Sequence, residues 1–381
     1  MKGSFRLARL AGIDIKLHFT FPLILIWGAV QWAAPHGAQG ALFGALLMAA
    51  VFVCVALHEM GHALTARWLG IPVREIVLLP IGGVAMLARN PRTPLHELLI
   101  AVAGPLVNVG IAFALGAVLL VQGNLPFWGL PGEGGAGEPS WRTALVWLFG
   151  SNVLLALFNL VPAFPMDGGR ILRAVLAMVM DFRRATRITT AVGQFLAVVA
   201  GVWALLNGQI LLAVVALFVF LGASGERAAE EARSILSTLR LRDAYNKHAL
   251  TLQPADRVSG VIDYLLTSYQ PDFAVVHGGR LLGVVTRDAA LRSMMNGPEA
   301  GEAYVTSVMD RQVLSLDGRM TLAEAREAMI EAEAGVAAVF EGERFLGLVN
   351  LEDLMEALQI AAFVQAGGSR PPGPQPDREA A

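Results

Sequence analysis

Residues 42–64 read LFGALLMAAVFVCVALHEMGHAL. A run of this length and apolarity is what a helix needs to cross a hydrocarbon core, yet it ends in two imidazoles and a carboxylate, His58, His62 and Glu59. Ionisable groups in an apolar span are costly and tend to mark function. Residues four apart share one helix face, so both rings can reach one metal ion. Glu59 stands one residue along, where it could take a proton from a metal-bound water. The bland alternative is a chance match at a helix end. With 7 histidines among 381 residues, a random His-Glu-x-x-His arises at odds on the order of one in two hundred. Cys54, one turn earlier on the same face, reads as small apolar packing.

Working outward, apolar stretches recur at about 17–34, 42–64, 95–122, 143–163, 188–206 and 209–223. Hydrophobic residues make up 55% of the chain and charged ones 16%, against about 25% charged in soluble domains. Nearly all of the apolar excess precedes residue 224. The net charge of −2 argues against a nucleic-acid partner, which calls for a basic patch. Arginines and lysines accumulate on the cytoplasmic side of membrane proteins. Here they fall in residues 1–16, between spans two and three (Arg67, Arg74, Arg89, Arg92), and between spans four and five (Arg170, Arg173, Arg183, Arg184, Arg187). The loops at 35–41, 124–141 and 207–209 hold none. Six spans with both termini in the cytoplasm satisfy every loop of a multi-pass cell-membrane protein.

Two irregular segments sit at cytoplasmic ends. Residues 73–90 (VREIVLLPIGGVAMLARN) read as a β-hairpin with its turn at Pro80 to Gly83. Residues 159–169 (NLVPAFPMDGG) carry two prolines and two glycines that break a helix. Non-helical backbone at membrane depth is tolerated where it is buried or lines a watery cavity. A catalytic metal site takes three protein ligands and an open position. Asp167, the acidic residue beside span four, is the candidate third ligand; by spacing alone the ligand reading leads at roughly two to one over an N-cap of the helix that follows. Asn159 places an amide beside the same loop.

The second half is more charged. A helical linker (225–243) leads to two similar units, which superpose when Gly283 is aligned with Gly347. Each reads strand, turn, strand, helix, and the long period suggests a paired module. The polar, proline-rich end (365–381) has the composition of a disordered tail.

His58-Glu59-Met60-Gly61-His62 on a membrane helix, together with NLVPAFPMDGGR at 159–170, resembles the site-2 protease family of intramembrane zinc metalloproteases. The likeness covers residues 1 to about 224. Residues 244–300 and 301–364 resemble, more loosely, a pair of CBS repeats, as in the branch of that family with a C-terminal CBS module. The resemblance implies one zinc ion per chain on His58, His62 and Asp167, with Glu59 as general base. It implies that Asn159 handles substrate, and the 73–90 hairpin, at Gly82, Gly83 and Val84, is a candidate strand-adding surface for an unwound substrate. Gly104-x-x-x-Asn108 matches a third family motif and also reads as small-residue helix packing. The implied substrates are single-span membrane proteins such as an anti-sigma factor, a pro-sigma factor or a signal-peptide remnant. CBS modules also imply homodimers and adenine nucleotides. The usual hydroxyl-then-aspartate spacing fails here, because Thr286 stands too close to Asp288 and Asn350 replaces the hydroxyl before Asp353, so nucleotide binding stays open.

The expectation is therefore a polytopic α-helical membrane protein of six transmembrane helices with a short cytoplasmic-side β-hairpin, plus a soluble α+β CBS-pair domain. The competing reading is a CBS-regulated transporter or channel, which leaves the His-Glu-x-x-His unused.

Overall fold

A computed structural model describes residues 3–80, 82–87, 91, 93–123, 138–245, 249–267, 270–295 and 301–365. The expected tail, apart from Gln365, lies outside these residues, as do Arg89, Arg92 and most of the 124–141 loop. The chain divides into two compact units, Met1–Ala228 and Ala229–Ala381.

Among the described residues, five helices are long and apolar enough to cross a membrane: α1 (Pro22–Trp68), α2 (Pro94–Val121), α3 (Trp141–Asn159), α5 (Phe182–Leu206) and α6 (Ile210–Thr238). A short helix, α4 (Asp167–Ala177), follows the proline-broken loop. Of these, α1 holds two of the expected spans. Just past Pro35, Gly37 leaves helical geometry at φ 59° and ψ −145°, and the chain doubles back. The Phe21 and Phe52 rings lie 5.0 Å apart, whereas a straight helix would separate them by about 46 Å at 1.5 Å per residue. Gly28 and Gly44 approach so closely that a Cβ on Gly28 would stand 2.8 Å from the Gly44 carbonyl oxygen. Among the described residues the apolar helices thus supply six segments, the first two joined as a tight hairpin sealed by glycines.

The first span begins at Pro22, later than the hydropathy suggests, because the residues before it pair as strands. β1 (Ser4–Leu10) and β2 (Ile13–His18) join β3 (Val73–Leu79) and β4 (Gly82–Leu87) in a four-stranded sheet of order β1-β2-β3-β4. Ala11 and Gly12, at φ 48° and 78°, make the two-residue turn between β1 and β2, where hairpins favour left-handed backbone. β2 pairs with β3 in parallel, and Lys16 and Glu75 form an ion pair across that junction. Ile13, Ile15, Ile76 and Leu78 bury one face of the sheet against Phe52, Val55, Met60 and Ala63 of α1. The expected 73–90 hairpin is therefore half of a larger sheet. This packing leaves β4 as a sheet edge beside the histidine-bearing end of α1.

The second unit is built of two repeats. β5 (Thr251–Leu252), α7 (Val258–Thr267), β6 (Asp272–His277), β7 (Arg280–Thr286) and α8 (Arg287–Met294) form one, with strand order β5-β6-β7. β8 (Leu314–Asp317), α9 (Leu322–Glu331), β9 (Val336–Glu341), β10 (Arg344–Asn350) and α10 (Leu351–Gln365) form the other, with order β10-β9-β8. Gly283 and Gly347 occupy matching places in β7 and β10, as the sequence alignment of the repeats requires. Ala274 and Val284 of one repeat pack with Ala338 and Leu348 of the other. The first part of the expected helical linker is the last turns of α6, which runs to Thr238.

Candidate metal centre

The second arm of α1 carries His58 and His62 on one face, and both are buried. α4 begins at Asp167, also buried. The backbone leading into it turns back sharply, so Asp167 arrives opposite the two rings. The His58 and His62 Nε2 atoms are 3.1 Å apart, and Asp167 Oδ2 lies 3.2 Å from each. Among the described residues these three are the group able to hold a metal ion. The capping alternative for Asp167 does not hold, since Met166 occupies the N-cap position and Asp167 is the first helical residue.

The hydrogen bonds behind the rings decide what faces inward. His62 Nδ1 lies 2.7 Å from the Ile100 carbonyl oxygen, which can only accept, so Nδ1 carries the proton. His58 Nδ1 lies 2.6 Å from Asn108 Oδ1. The Asn108 amide is oriented by its Nδ2 donating to Asn152 Oδ1 at 3.1 Å, and Asn152 Nδ2 donates to the Leu148 carbonyl at 2.8 Å. Both Nε2 atoms therefore turn lone pairs toward the Asp167 carboxylate. With both rings neutral, three buried acceptor atoms in van der Waals contact repel one another unless a cation sits between. Asp167 Oδ2 has no hydrogen-bond donor. Tetrahedral zinc with bonds of about 2.0–2.1 Å sets neighbouring ligand atoms about 3.3 Å apart, close to the observed triangle. The residues fit zinc.

Second-layer residues do much of the orienting, as in other metal sites. Asn108 is fully buried and does more than allow helix packing. Gly104, a turn before it, passes so near both rings that a Cβ there would overlap their Nε2 atoms. Asn152 was not singled out by the sequence; a polar amide inside an apolar span was the available signal.

Glu59 is half-buried, and its Oε2 accepts from the Ala85 backbone N–H of β4 at 3.2 Å. A Cβ on Gly83 would stand 2.5 Å from Glu59 Cγ, so strand and carboxylate approach this closely only with glycine there. A cavity of about 390 Å³ opens over the metal-binding atoms and Glu59. Gly82, Gly83, Val84 and Asn159 also line it, together with Phe218 of α6. Cys54 is buried and outside the metal-binding group.

Residues 46–133 and 130–200 match the model of peptidase family M50, and residues 305–360 that of the CBS domain. A zinc metalloprotease of Methanocaldococcus jannaschii is 32% identical over 366 residues, which is 94% of this chain and 97% of that relative. The chain belongs to peptidase family M50. Among other M50-like relatives, stage IV sporulation protein FB of Bacillus subtilis is 26% identical over 211 residues, 55% of this chain and 65% of its own. A solved site-2 protease from Methanocaldococcus jannaschii is 39% identical, with 59% of this chain and 95% of that one aligned at a TM-score of 0.43. This M50 peptidase is a site-2-type intramembrane zinc metalloprotease, multi-pass, with a CBS domain and membrane proteins as its substrate class. The transporter reading falls with that membership.

Proposed function

We propose that this M50 peptidase cuts single-span membrane proteins, with Glu59 as general base and the β4 edge as the place where the substrate is held extended. Anti-sigma factors, pro-sigma factors and signal-peptide remnants are the substrate types the proposal covers. The observation that carries it is the convergence of His58, His62 and Asp167 in one cavity with Glu59 and the β4 edge. Bound there, zinc supplies Lewis acidity toward a carbonyl and acidifies water. The remaining work belongs to the chain. Glu59 is placed to accept a proton and return it to the leaving nitrogen. The cavity over the three ligands gives room for the water that hydrolysis consumes.

A substrate helix hides its peptide bonds, and unwinding it in hydrocarbon strands polar groups at several kcal/mol each. An edge strand offsets this cost by offering backbone partners. The Ala85 N–H points to Glu59 and away from β3, and backbone alternation turns Gly83 to the same side. The amide of Asn159, across the cavity, supplies a further hydrogen-bonding group. Pro at Ala85 removes the N–H from which Glu59 accepts and disturbs the β4 edge at once, so it should cut turnover while sparing zinc content; unchanged turnover would count against both the Glu59 role and docking at β4.

We place the protease domain at 1–224, the linker at 225–243, the CBS repeats at 244–300 and 301–364, and both termini with the CBS pair in the cytoplasm. The lysine and arginine distribution supports that orientation. The CBS pair is read as the regulatory and dimer-forming part. Adenine nucleotide has weaker support, because the Thr286 hydroxyl caps α8, and Asn350 and Asp353 cap α10 reciprocally at 2.8 Å.

The test is Glu59→Gln in the purified protein offered a single-span substrate. Cleavage should vanish with zinc retained. Persistent cleavage would remove Glu59 from the chemistry.

A further inference from the structure

Arg173 lies farther along α4 than Asp167, with 8% of its surface exposed. Its guanidinium is enclosed. Nε donates to Glu97 Oε1 at 2.9 Å, Nη2 donates to the same oxygen, and Nη1 donates to Glu226 Oε1 at 2.6 Å. The Phe164 and Phe182 rings face it at 4.8 and 4.9 Å. Glu97 opens α2, Phe182 opens α5, Glu226 belongs to α6, and Phe164 lies in the loop that delivers Asp167. One buried cation thus joins four elements around the helix that presents the carboxylate ligand.

Asp167 needs such a fixture. Met166, at the N-cap, gives no side-chain bond to the helix start. Gly168 and Gly169 press so closely on the 160–164 backbone that a Cβ on Gly169 would lie 2.7 Å from the Phe164 nitrogen. Loop and helix start can therefore shift only together, and Arg173 grips both, through its own helix and through Phe164. Glu97 ties them to α2, whose Ile100 carbonyl and Asn108 amide orient the two imidazoles. One cation stands between two carboxylates, so loss of the half-exposed Glu226 charge leaves Arg173 paired with Glu97 and releases its hold on α6.

We infer that Arg173 is a positioning residue for the metal centre: it sets the Asp167 carboxylate against the two imidazoles, and through Glu226 it makes that setting depend on α6. The dependence has a consequence. α6 continues from Glu226 to Thr238, out of the first unit and into the second, so a displacement of this helix reaches the metal ligand through one ion pair.

The inference rests on His58, His62 and Asp167 holding the metal, and Asp167→Ala tests that reading separately by losing zinc outright. The test of Arg173 uses the full-length protein with Arg173→Lys and Glu226→Gln. Zinc affinity is measured by chelator competition, beside the melting temperature of the zinc-free protein. Both variants should bind zinc about tenfold more weakly while the zinc-free protein melts as the parent does. Glu226, 35% exposed at its side chain, keeps its shape as Gln and decides the matter if Arg173→Lys does not fold. Parent-like zinc affinity in either folded variant would overturn the inference. So would weakened binding that merely follows a lowered zinc-free melting temperature, and so would failure of Glu226→Gln to fold, since each marks a purely structural role.

Discussion

Asn108→Leu removes the acceptor behind His58 while keeping the side chain's approximate volume. In the parent, Asn108 Oδ1 takes the Nδ1–H of His58 at 2.6 Å in a site with no solvent exposure. Leucine leaves that N–H buried and unpaired, at a cost of about 1–3 kcal/mol. The ring escapes the cost by moving its proton to Nε2, the atom that faces Asp167. A protonated Nε2 cannot ligate, so the cost appears as lost metal affinity. At about 1.4 kcal/mol per tenfold, zinc should bind about 5- to 150-fold more weakly. Asn152→Leu removes the next link of the chain and leaves the His58 acceptor in place, so its effect should be smaller, within about threefold by the non-additive logic of such networks. Competition against a chelator of known affinity, on detergent-purified protein at one fixed pH, reads both numbers. If Asn108→Leu bound zinc as tightly as the parent, the tautomer argument would be wrong, and with it the claim that Nε2 lone pairs converge on the metal.

Two further outcomes follow from particular contacts. Gly83→Ala places a methyl against Glu59 and should lower kcat by up to about 100-fold, the effect expected of a 1 Å misplacement, with zinc content unchanged; a parent-like kcat would mean that Glu59 has room to move. In the second unit, burial, with smaller contributions from Asp353, Asp288 and Glu352 against a hydrogen bond to Asn350, pushes the Asp272 carboxyl up to about 6. The unfolded group ionises near 3.9, so the unfolded chain sheds its proton first and stability falls as pH rises from about 4 to 6. Asp272→Asn should therefore stabilise at pH 8 and not at pH 3.5. The shift alone corresponds to nearly 3 kcal/mol, and solvent screening of this part-exposed group cuts the gain to about 1 kcal/mol. Hydrogen exchange of β6 and β7 amides in the full chain, variant against parent at each pH, should show about fivefold slower exchange at pH 8 only.

The metal ligands were legible because their chemistry is local in sequence or unusual in place. A helix turn fixes His58 against His62, and Asp167 stood out as an acid beside apolar spans, although its choice between ligand and cap needed the structure. The apolar segments were legible from hydropathy, and the hairpin at Gly37 is where length alone misleads. The N-terminal strands were not expected, since Arg6, Arg9 and Lys16 read as topological charges and hid the alternation of Ser4–Leu10 with Ile13–His18. Gly12 was the available turn signal. Arg173 was hidden in the same way: counted among the cytoplasmic charges, it is buried with two carboxylates. Such pairings cross long stretches of chain, and one sequence does not show which distant acid meets which base.

Zinc-edge X-ray absorption on the purified protein tests the centre most directly. The account predicts nitrogen and oxygen neighbours at about 2.0–2.1 Å, with two imidazole signatures and no sulfur, and loss of bound zinc in Asp167→Ala. A sulfur neighbour near 2.3 Å, which could come only from Cys54 or a methionine, or an unchanged spectrum in Asp167→Ala, would contradict it.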